Sequence, residues 1–113
     1  MDTLAAFGAI DIRVARITAA EPHGAARRPA YVLTLDVGPE LGVLTSSAQL
    51  TEAYSREDLV GRLVLAVVNL PAKRVAGVKS EALVLGVYSG GGDGPTALVS
   101  ADERFVMPGD RVG

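Results

Sequence analysis

The sequence predicts an all-β protein, a small antiparallel barrel of five strands with a short helix between the third and fourth strands. Short runs of alternating apolar and polar residues recur along the chain, and Gly- and Pro-rich turns separate them. No helical pattern alternates with these runs, which argues against a parallel sheet. Because 113 residues with 49% hydrophobic residues suit one core, we expect a single domain over residues 1–113 with small terminal extensions.

The first strand is predicted where apolar and polar side chains alternate over residues 10–14. Ile17 then falls out of phase with Val14. This change of phase predicts a β-bulge near Ala15 and Arg16, the device by which small barrels bend a long strand.

The second and third strands are predicted to pair as an antiparallel hairpin. Residues 31–37 alternate in the same way, after a loop bracketed by Pro22 and Pro29. A turn at residues 38–40 leads into a third strand from residue 41 to about residue 47. Three polar or turn-forming residues between two alternating runs favour antiparallel pairing.

The fourth and fifth strands are predicted from continuous apolar runs at residues 63–68 and 83–87, which are typical of strands buried on both faces. The short helix precedes them, because Ser55 and Asp58 have the spacing of a capping box. A late turn at residues 108–110 predicts that the C-terminus adds one last short strand.

Five short strands with one helix between the third and fourth are typical of the OB-fold. This fold binds ligands on its second and third strands and with the loops that join strands one to two and four to five. In this sequence those loops are residues 21–30 and 70–79. Each contains a pair of adjacent basic residues, although the whole chain carries a net charge of -2.

These basic residues are candidate contacts for the phosphate backbone of a nucleic acid, since their charges attract it without reading its sequence. The alternative is that these charges only keep the loops soluble and bind no ligand. The arginine pair would also suit an acidic side chain or a C-terminal carboxylate, and a solvated turn is the alternative. Against RNA, the chain has only two Phe and three Tyr for stacking on bases. The candidates are Arg27, Arg28, Lys73, Arg74 and Lys79, and no acidic residue interrupts the stretch from Arg62 to Ser80.

A second set of polar residues suits the main-chain groups of an extended peptide. Ser46, Ser47 and Gln49 offer donors and acceptors near the end of the third strand, where the alternative is local capping of a turn. The amide of Asn69 follows an apolar strand, so we expect it to be buried, hydrogen-bonded and holding the basic loop in place. The peptide-binding candidates are Tyr31, Ser46, Ser47, Gln49 and Asn69.

Catalysis, cofactors and metals are not predicted. The chain has no cysteine, no Gly-x-Ser-x-Gly elbow and no phosphate-binding Gly-Lys-Ser/Thr loop. His23 has neither a second histidine nor a cysteine to share a metal with, which argues against a metal site. Because it lies in a loop, we expect it to be exposed, and we assign it no function. No basic leader or apolar run long enough for a membrane span is present, which predicts a cytoplasmic protein without membrane insertion.

The N-terminal segment predicts self-association. Leu4, Ala5, Ala6 and Phe7 are more apolar than a free terminus requires, and an open barrel leaves strand edges that proteins usually cover. We therefore expect a homodimer in which residues 1–9, together with the region 99–106, make the contact.

Several motifs carry a resemblance to a known family. They are Phe7 with Asp11-Ile12-Arg13-Val14, Pro29-Ala30-Tyr31, Thr45-Ser46-Ser47-Ala48-Gln49-Leu50-Thr51, and Val68-Asn69-Leu70-Pro71 through Gly77-x-x-Ser80-Glu81-Ala82-Leu83. Together they resemble the tRNA-binding-domain family of OB-folds. Over nearly the whole chain the spacing is similar to the free-standing bacterial CsaA-type proteins, described as export-related chaperones.

The resemblance implies a homodimeric OB-fold that binds unfolded or presecretory polypeptides and, as a second ligand, tRNA. Relatives attached to aminoacyl-tRNA synthetases have a Lys-Pro pair where this chain has Leu70-Pro71, with the base displaced to Lys73. Arg74, Lys79 and Ser80 match the basic loop of the family and the serine that closes it, so Ser80 joins the nucleic-acid-binding candidates.

We therefore predict a non-catalytic, chaperone-like protein that binds unfolded or presecretory polypeptide. The alternative prediction is a tRNA-binding module that holds the phosphate backbone with its basic loops. A third is an assembly module whose basic loops contact only another protein. The first two require the two basic loops to lie at the rim of one surface.

Overall fold

The computed structural model describes residues 2–113, and these form an all-β, OB-fold-like barrel. Its main sheet is antiparallel with the strand order β3-β2-β1-β4-β7, and two further hairpins pair β5 with β6 and β8 with β9. The strands are β1 (Ile12–Pro22), β2 (Tyr31–Asp36), β3 (Val43–Ala48), β4 (Leu63–Val67), β5 (Lys73–Val75), β6 (Val78–Ser80), β7 (Leu83–Val84), β8 (Gly86–Tyr88) and β9 (Thr96–Leu98). The helices are α1 (Thr3–Ala9), α2 (Gly38–Leu41) and α3 (Arg56–Leu59), with a 3-10 turn at Gly90–Gly92.

Strand β1 is long and bent because it serves two neighbours. Its first half pairs with β4 and its second half with β2. A bulge is present as predicted, but its predicted position at Ala15 and Arg16 is wrong: the extra residue is Thr18, because Ile17 and Ala19 lie opposite consecutive residues of β2. Ala15 and Ile17 both face the core, so the alternation breaks after Ile17 and not before it.

The core lies inside the curled main sheet. It is built from the inward-facing apolar residues of β1, β2 and β4, and α3 closes one end with Leu59. The buried members are Ala15, Ile17, Ala20, Tyr31, Leu33, Leu35, Val37, Leu50, Leu59, Val64, Ala66 and Ala82. The strict alternation of β2 between buried and half-buried side chains confirms its predicted period.

The capping box predicted at the short helix is confirmed. The Ser55 hydroxyl oxygen accepts from the Asp58 backbone N–H at 3.2 Å, and the Asp58 carboxylate accepts from the Ser55 N–H at 2.9 Å. Hydrogen bonding of the Asp58 carboxylate by Ser55, first by its backbone N–H and then by its side chain, holds the pKa of Asp58 below its ordinary value. The predicted turn at residues 38–40 is the one-turn helix α2, so β3 begins at Val43, two residues later than expected.

A fifth strand of the main sheet is present at the predicted position, but its predicted length and burial are wrong. Residues 63–67 do form a strand that is mostly buried on both faces. Residues 83–87, in contrast, are split between β7 and β8, and Leu83 and Val87 are each more than half exposed. The reason is that β7 pairs with β4 over only two residues, after which the chain leaves the main sheet to pair with β9.

The two termini dock beside one another. Helix α1 is capped by Asp2, whose carboxylate accepts from the Ala5 N–H at 2.7 Å. The Val14 N–H donates to the Asp110 carbonyl at 2.8 Å, so the C-terminal residues pair along the free edge of β1. The predicted last strand is confirmed as a single bridge, Arg13 opposite Arg111. Residue 1 of the segment 1–9, predicted to make the dimer contact, lies outside the described residues.

Within residues 2–113, no helix is long and apolar enough to cross a membrane.

Candidate functional site

The segment predicted as a basic loop is a β-hairpin. Strands β5 and β6 pair antiparallel, and a two-residue turn, Ala76-Gly77, joins them with φ angles of 47° and 86°. Positive φ at both central positions defines the type I′ turn, whose twist matches that of the strands. The hairpin therefore presents its basic residues on a structured arm.

The β1–β2 loop faces this hairpin across a cleft of about 480 Å³, which we call the cationic cleft. Its two walls each contribute a pair of cations, and Ser47 and Gln49 line it from the end of β3. No acidic residue is among its lining residues. The two basic loops thus lie together on one surface, with the four cations Arg27, Arg28, Lys73 and Arg74 around it.

The four cations of the cleft are exposed, and none forms a salt bridge within residues 2–113. Arg74 donates to the Gly77 carbonyl at 3.1 Å, which braces its guanidinium against the turn. Uncompensated charges of one sign around a concave surface raise the local concentration of anionic ligands. The cleft is therefore suited to a carboxylate or a phosphate.

Two other bases of the acid-free stretch lie outside the cationic cleft. Lys79 is directly opposite Arg74 in the hairpin but does not line the cleft. Arg62 lies with its guanidinium 5.0 Å from the centre of the Tyr54 ring and donates to the Asp58 carbonyl. Arg62 is close to the hairpin in the sequence, but its contacts in the folded protein are with Tyr54 and Asp58, outside the cationic cleft.

Ser80 and Glu81 close the seam of the barrel between β3 and the hairpin. The Ser80 hydroxyl oxygen accepts from the Ser47 N–H at 3.0 Å. The Glu81 carboxylate accepts from the Thr45 N–H at 3.1 Å, while the Glu81 N–H donates to the Thr45 carbonyl at 2.7 Å. Side-chain oxygens thus replace a neighbouring strand at this edge. Lys79 and Glu81 form no ion pair among the described residues, although they are two positions apart.

An apolar groove of about 230 Å³ adjoins the cationic cleft. The two share Ser47, Lys73 and Val75, so they are continuous. The apolar lining was missed in the sequence because leucines that flank apolar strands give no sign of exposure. We define this groove by Leu70, Pro71, Val75, Ala82 and Leu83.

The five peptide-binding candidates are not brought together. Ser47 and Gln49 line the cationic cleft, but Ser46 is buried and Tyr31 belongs to the core, where its hydroxyl donates to the Tyr54 carbonyl at 2.9 Å. Residues of a strand alternate between faces, so Ser46 necessarily points away from Ser47.

Asn69 also differs from its prediction. It is exposed, and its amide holds the end of α1, donating to the Ala9 carbonyl at 2.8 Å and accepting from the Asp11 N–H at 2.9 Å. Asn69 is therefore hydrogen-bonded as predicted, but its bonds hold the end of the N-terminal helix and not the basic hairpin.

His23 contradicts its prediction most clearly. It is only 6% exposed, and both ring nitrogens have partners. The Ser47 hydroxyl lies 3.0 Å from Nδ1, and the Ala76 carbonyl lies 3.3 Å from Nε2. No group of three potential metal ligands that would include it occurs in the described part of the chain.

Comparison with known proteins identifies the family of this chain. A family model described as "Putative tRNA binding domain" matches residues 12–110. The chain superimposes on the crystal structure of the CsaA chaperone protein from Picrophilus torridus with a TM-score of 0.91 and 37% identity, covering 100% of both chains. It superimposes on chaperone CsaA from Bacillus anthracis with a TM-score of 0.88 and 42% identity, covering 100% of this chain and 99% of the other.

Relatives of known sequence include a much longer protein. The methionine–tRNA ligase of Methanopyrus kandleri is 38% identical over 112 residues, which is 97% of this chain but 16% of the ligase. The likeness is thus to one part of that protein. The chain belongs to the tRNA-binding-domain family of OB-folds, and its similarity to the CsaA chaperones extends over their whole length.

Proposed function

We propose that this protein is a non-catalytic, chaperone-like protein of the cytoplasm that holds extended segments of unfolded or presecretory polypeptide. The observation that carries the proposal is that the cationic cleft and the apolar groove meet at Ser47. A ligand that crosses this junction meets cations on one side and apolar side chains on the other. The similarity to two CsaA chaperones over their entire length supports the same conclusion.

An extended polypeptide has the chemistry that this surface would recognise. Its side chains alternate, so apolar ones can enter the apolar groove while the polar main chain meets Ser47 and Gln49. Acidic side chains or a terminal carboxylate can pair with the forked donors of Arg27 and Arg28. No specific sequence is required for either interaction, as a protein with many clients would need.

The proposal predicts that this protein delays the aggregation of an unfolded client. Light scattering of chemically denatured citrate synthase on dilution should rise more slowly when the protein is present at an equal molar amount. Leu70→Asp should weaken this effect and lower affinity for the client roughly tenfold, because a buried leucine contributes about 1.5–3 kcal/mol to binding.

Val60→Asp is the matched control. Val60 is 50% exposed and Leu70 is 48% exposed, but Val60 lies at the end of α3, outside both the cleft and the groove. Equal loss of protection in the two variants would contradict the role of the groove. Failure of the wild type to slow aggregation or to bind any peptide of an array would end the chaperone proposal.

A second candidate function is binding of tRNA through its phosphate backbone. The observation that favours it is the set of four cations, without ion pairs among the described residues, around a cleft that no acid lines. Membership of the tRNA-binding-domain family agrees with it. Lys79 and Ser80 lie next to this surface on the hairpin and stay in the proposed contact set.

Salt dependence tests the tRNA proposal. Affinity for unfractionated tRNA should fall steeply between low and moderate ionic strength, because binding releases condensed counterions. The double variant Lys73→Ala and Arg74→Ala should reduce the slope of log affinity against log salt by about 1.5, since each lost phosphate contact removes about 0.7–0.9.

Arg62→Ala with Arg104→Ala removes the same total charge outside the cleft and should leave the slope nearly unchanged. If both double variants flatten the slope equally, the cleft is not the tRNA site. If the protein purified at low salt carries no nucleic-acid absorbance and binds no tRNA, a basic surface that contacts only other proteins is the correct assignment.

We also propose that the protein is a homodimer joined through the N-terminal segment. Leu4 is 81% exposed on α1, and Phe7 is also exposed on the same helix. Phe105 and Met107 add further exposed apolar surface from the C-terminal region. A two-fold pair would present two cationic clefts to one long ligand and so raise its apparent affinity.

A further inference from the structure

His23 does not itself line the cationic cleft, but it bonds to two residues that do, Ser47 and Ala76. Its backbone closes the β1–β2 loop, since the His23 N–H donates to the Ala30 carbonyl at 2.8 Å and its carbonyl accepts from the Ala26 N–H at 3.1 Å. Its ring reaches Ser47 on β3 and Ala76 at the tip of the hairpin. One residue of the β1–β2 loop therefore bonds through its side chain to two other elements that are distant in sequence.

The partners of the ring determine the direction of both hydrogen bonds. A carbonyl oxygen can only accept, so Nε2 carries the hydrogen that is donated to Ala76. In the neutral ring Nδ1 is then an acceptor, and the Ser47 hydroxyl donates to it. The Ser47 backbone N–H is also committed, because it donates to the Ser80 hydroxyl oxygen.

We propose that His23 is a positioning residue of the cationic cleft: it sets the distance between the loop that bears Arg27 and the hairpin that bears Arg74, and it orients the Ser47 hydroxyl. Ser47 then presents only oxygen lone pairs to a ligand. These lone pairs suit a donor such as a main-chain N–H of an extended polypeptide, whereas phosphate oxygens are themselves acceptors. This inference rests on the proposed binding function and adds a chemical preference to it.

The hairpin needs such a tie. Its base is bonded to β3, where the Ser47 N–H donates to the Ser80 hydroxyl oxygen, but its own pairing is limited to two strands of three residues each. A two-stranded pairing of this size is at best marginally stable by itself. In the turn of the hairpin, the Ala76 carbonyl accepts a hydrogen bond from the His23 ring. Without this bond the hairpin would keep its attachment to β3 at Ser80, but its tip would lose its tie to the loop that bears Arg27 and Arg28.

Two conservative variants separate the two bonds of the ring. The side-chain amide of Gln places an N–H near the position of Nε2, so His23→Gln should keep the bond to Ala76 and lose the one to Ser47. The amide of Asn lies near the position of Nδ1, so His23→Asn should keep Ser47 and lose Ala76. His23→Leu removes both.

Hydrogen exchange in the ligand-free protein tests the tie by itself. The backbone amides of residues 74–80 should exchange roughly fivefold to tenfold faster in His23→Asn and His23→Leu than in the wild type, as the loss of one hydrogen bond predicts. His23→Gln should stay within about twofold. Equal exchange in the Asn and Gln variants would overturn the positioning role, and this comparison stands even if His23→Leu does not fold.

Binding tests the consequence for the cleft, with fluorescein-labelled, reduced and carboxymethylated α-lactalbumin as the unfolded polypeptide and unfractionated tRNA as the second probe. Arg74→Ala should weaken polypeptide binding less in the His23→Asn background than in the wild-type background. Ser47→Ala should lower polypeptide affinity roughly fivefold and leave tRNA affinity unchanged.

An equal factor for Arg74→Ala in both backgrounds, or an equal effect of Ser47→Ala on both probes, would overturn the inference. A wild-type protein that binds neither probe would instead refute the proposed function. The exchange experiment would still decide whether His23 holds the hairpin.

Discussion

Ala76 is the single non-glycine residue with a positive φ among residues 2–113. An L-residue in this conformation costs about 1–2 kcal/mol, because its Cβ crowds the following carbonyl. Asn tolerates it, and Asn-Gly is the preferred pair for a type I′ turn. Ala76 therefore carries local strain at the tip of the arm that forms one wall of the cationic cleft.

Ala76→Asn is expected to raise the free energy of unfolding by about 0.5–1 kcal/mol, because it removes this strain without moving the backbone carbonyl that His23 contacts. Urea denaturation measures the change. Ala25→Asn in the exposed β1–β2 loop is the control and should stay within about 0.5 kcal/mol of the wild type. A loss of stability in Ala76→Asn would show that the turn has a different conformation in solution.

Asp11 is held by two arginines at the start of β1. The Arg13 guanidinium donates to its carboxylate at 2.7 Å, and Arg111 lies 3.8 Å away on the C-terminal segment. The pKa of Asp11 lies below its ordinary value of 3.8, mainly because Arg13 donates a hydrogen bond to the carboxylate. The positive charges of Arg13 and Arg111 lower the pKa further. The carboxylate thus ties the two termini together in its ionised form.

This lowered pKa predicts a pH dependence. A group whose pKa is lower in the folded state stabilises the fold above its unfolded pKa, and that contribution is lost as the pH falls through the folded value. Asp11→Asn should therefore be less stable than the wild type at pH 7, and the difference should shrink between about pH 4 and pH 2. Urea midpoints at both ends of this range measure it.

Asp93→Asn provides the comparison, since Asp93 makes no ion pair within the described residues. Its difference from the wild type should be small at both pH values. A constant difference for Asp11→Asn across the range would mean that the variant acts through packing and not through charge.

At the scale of elements, α2 and the C-terminal turn hold one another. Gly38 begins α2 with a φ of +84°, and a Cβ built on it would lie 2.5 Å from the Pro108 carbonyl oxygen. Gly109, which follows Pro108, bonds to β1, because its N–H donates to the Val14 carbonyl at 2.8 Å. The short helix thus fixes how the C-terminal segment approaches the sheet.

Gly38→Ala should lower the free energy of unfolding by about 2–4 kcal/mol, because backbone strain and a clash with the main chain add. Gly42→Ala has a similar φ of +72° but no atom within 4 Å of the new Cβ, so it should cost about 1–3 kcal/mol from strain alone. Thermal or urea unfolding compares the two. If Gly42→Ala proves the more costly, the C-terminal turn does not pack on α2 as described.

At the scale of the whole molecule, charge is distributed unevenly. The chain has a net charge of -2, yet no acid lines the cationic cleft. Acidic residues instead pair with arginines elsewhere, as Glu21 does with Arg56 and Glu103 with Arg16, both at 3.0 Å. An anionic ligand is therefore attracted to one side of a molecule that is acidic on average.

The exposed apolar surface of α1 predicts that the molecule self-associates. The wild type should scatter light as a dimer at micromolar concentration, and Leu4→Glu with Phe7→Glu should be monomeric, because like charges would replace apolar contacts in the interface. Val43→Glu with Val60→Glu changes exposed valines outside α1 and should remain dimeric. A wild type that is monomeric by light scattering would contradict the proposed dimer.

Features that depend on neighbours in sequence could be predicted. The capping box at Ser55 was correct in detail, because both of its bonds join residues three positions apart. The alternation of β2 was correct because period-2 burial is a property of the strand itself. The run at residues 83–87 failed, since a continuous apolar run does not show where a chain leaves one sheet to pair in another.

The five-stranded antiparallel barrel and the two pairs of basic residues could be predicted from the sequence, because the spacing of strands and the basic pairs in two loops are local patterns. Only the tertiary structure decided that His23 is buried, that Asn69 holds α1 and that side chains of Ser80 and Glu81 close the barrel. Each of these bonds joins residues that are 24 to 60 positions apart. Partners at such distances are chosen by the way the sheet curls and not by any residue nearby in the chain.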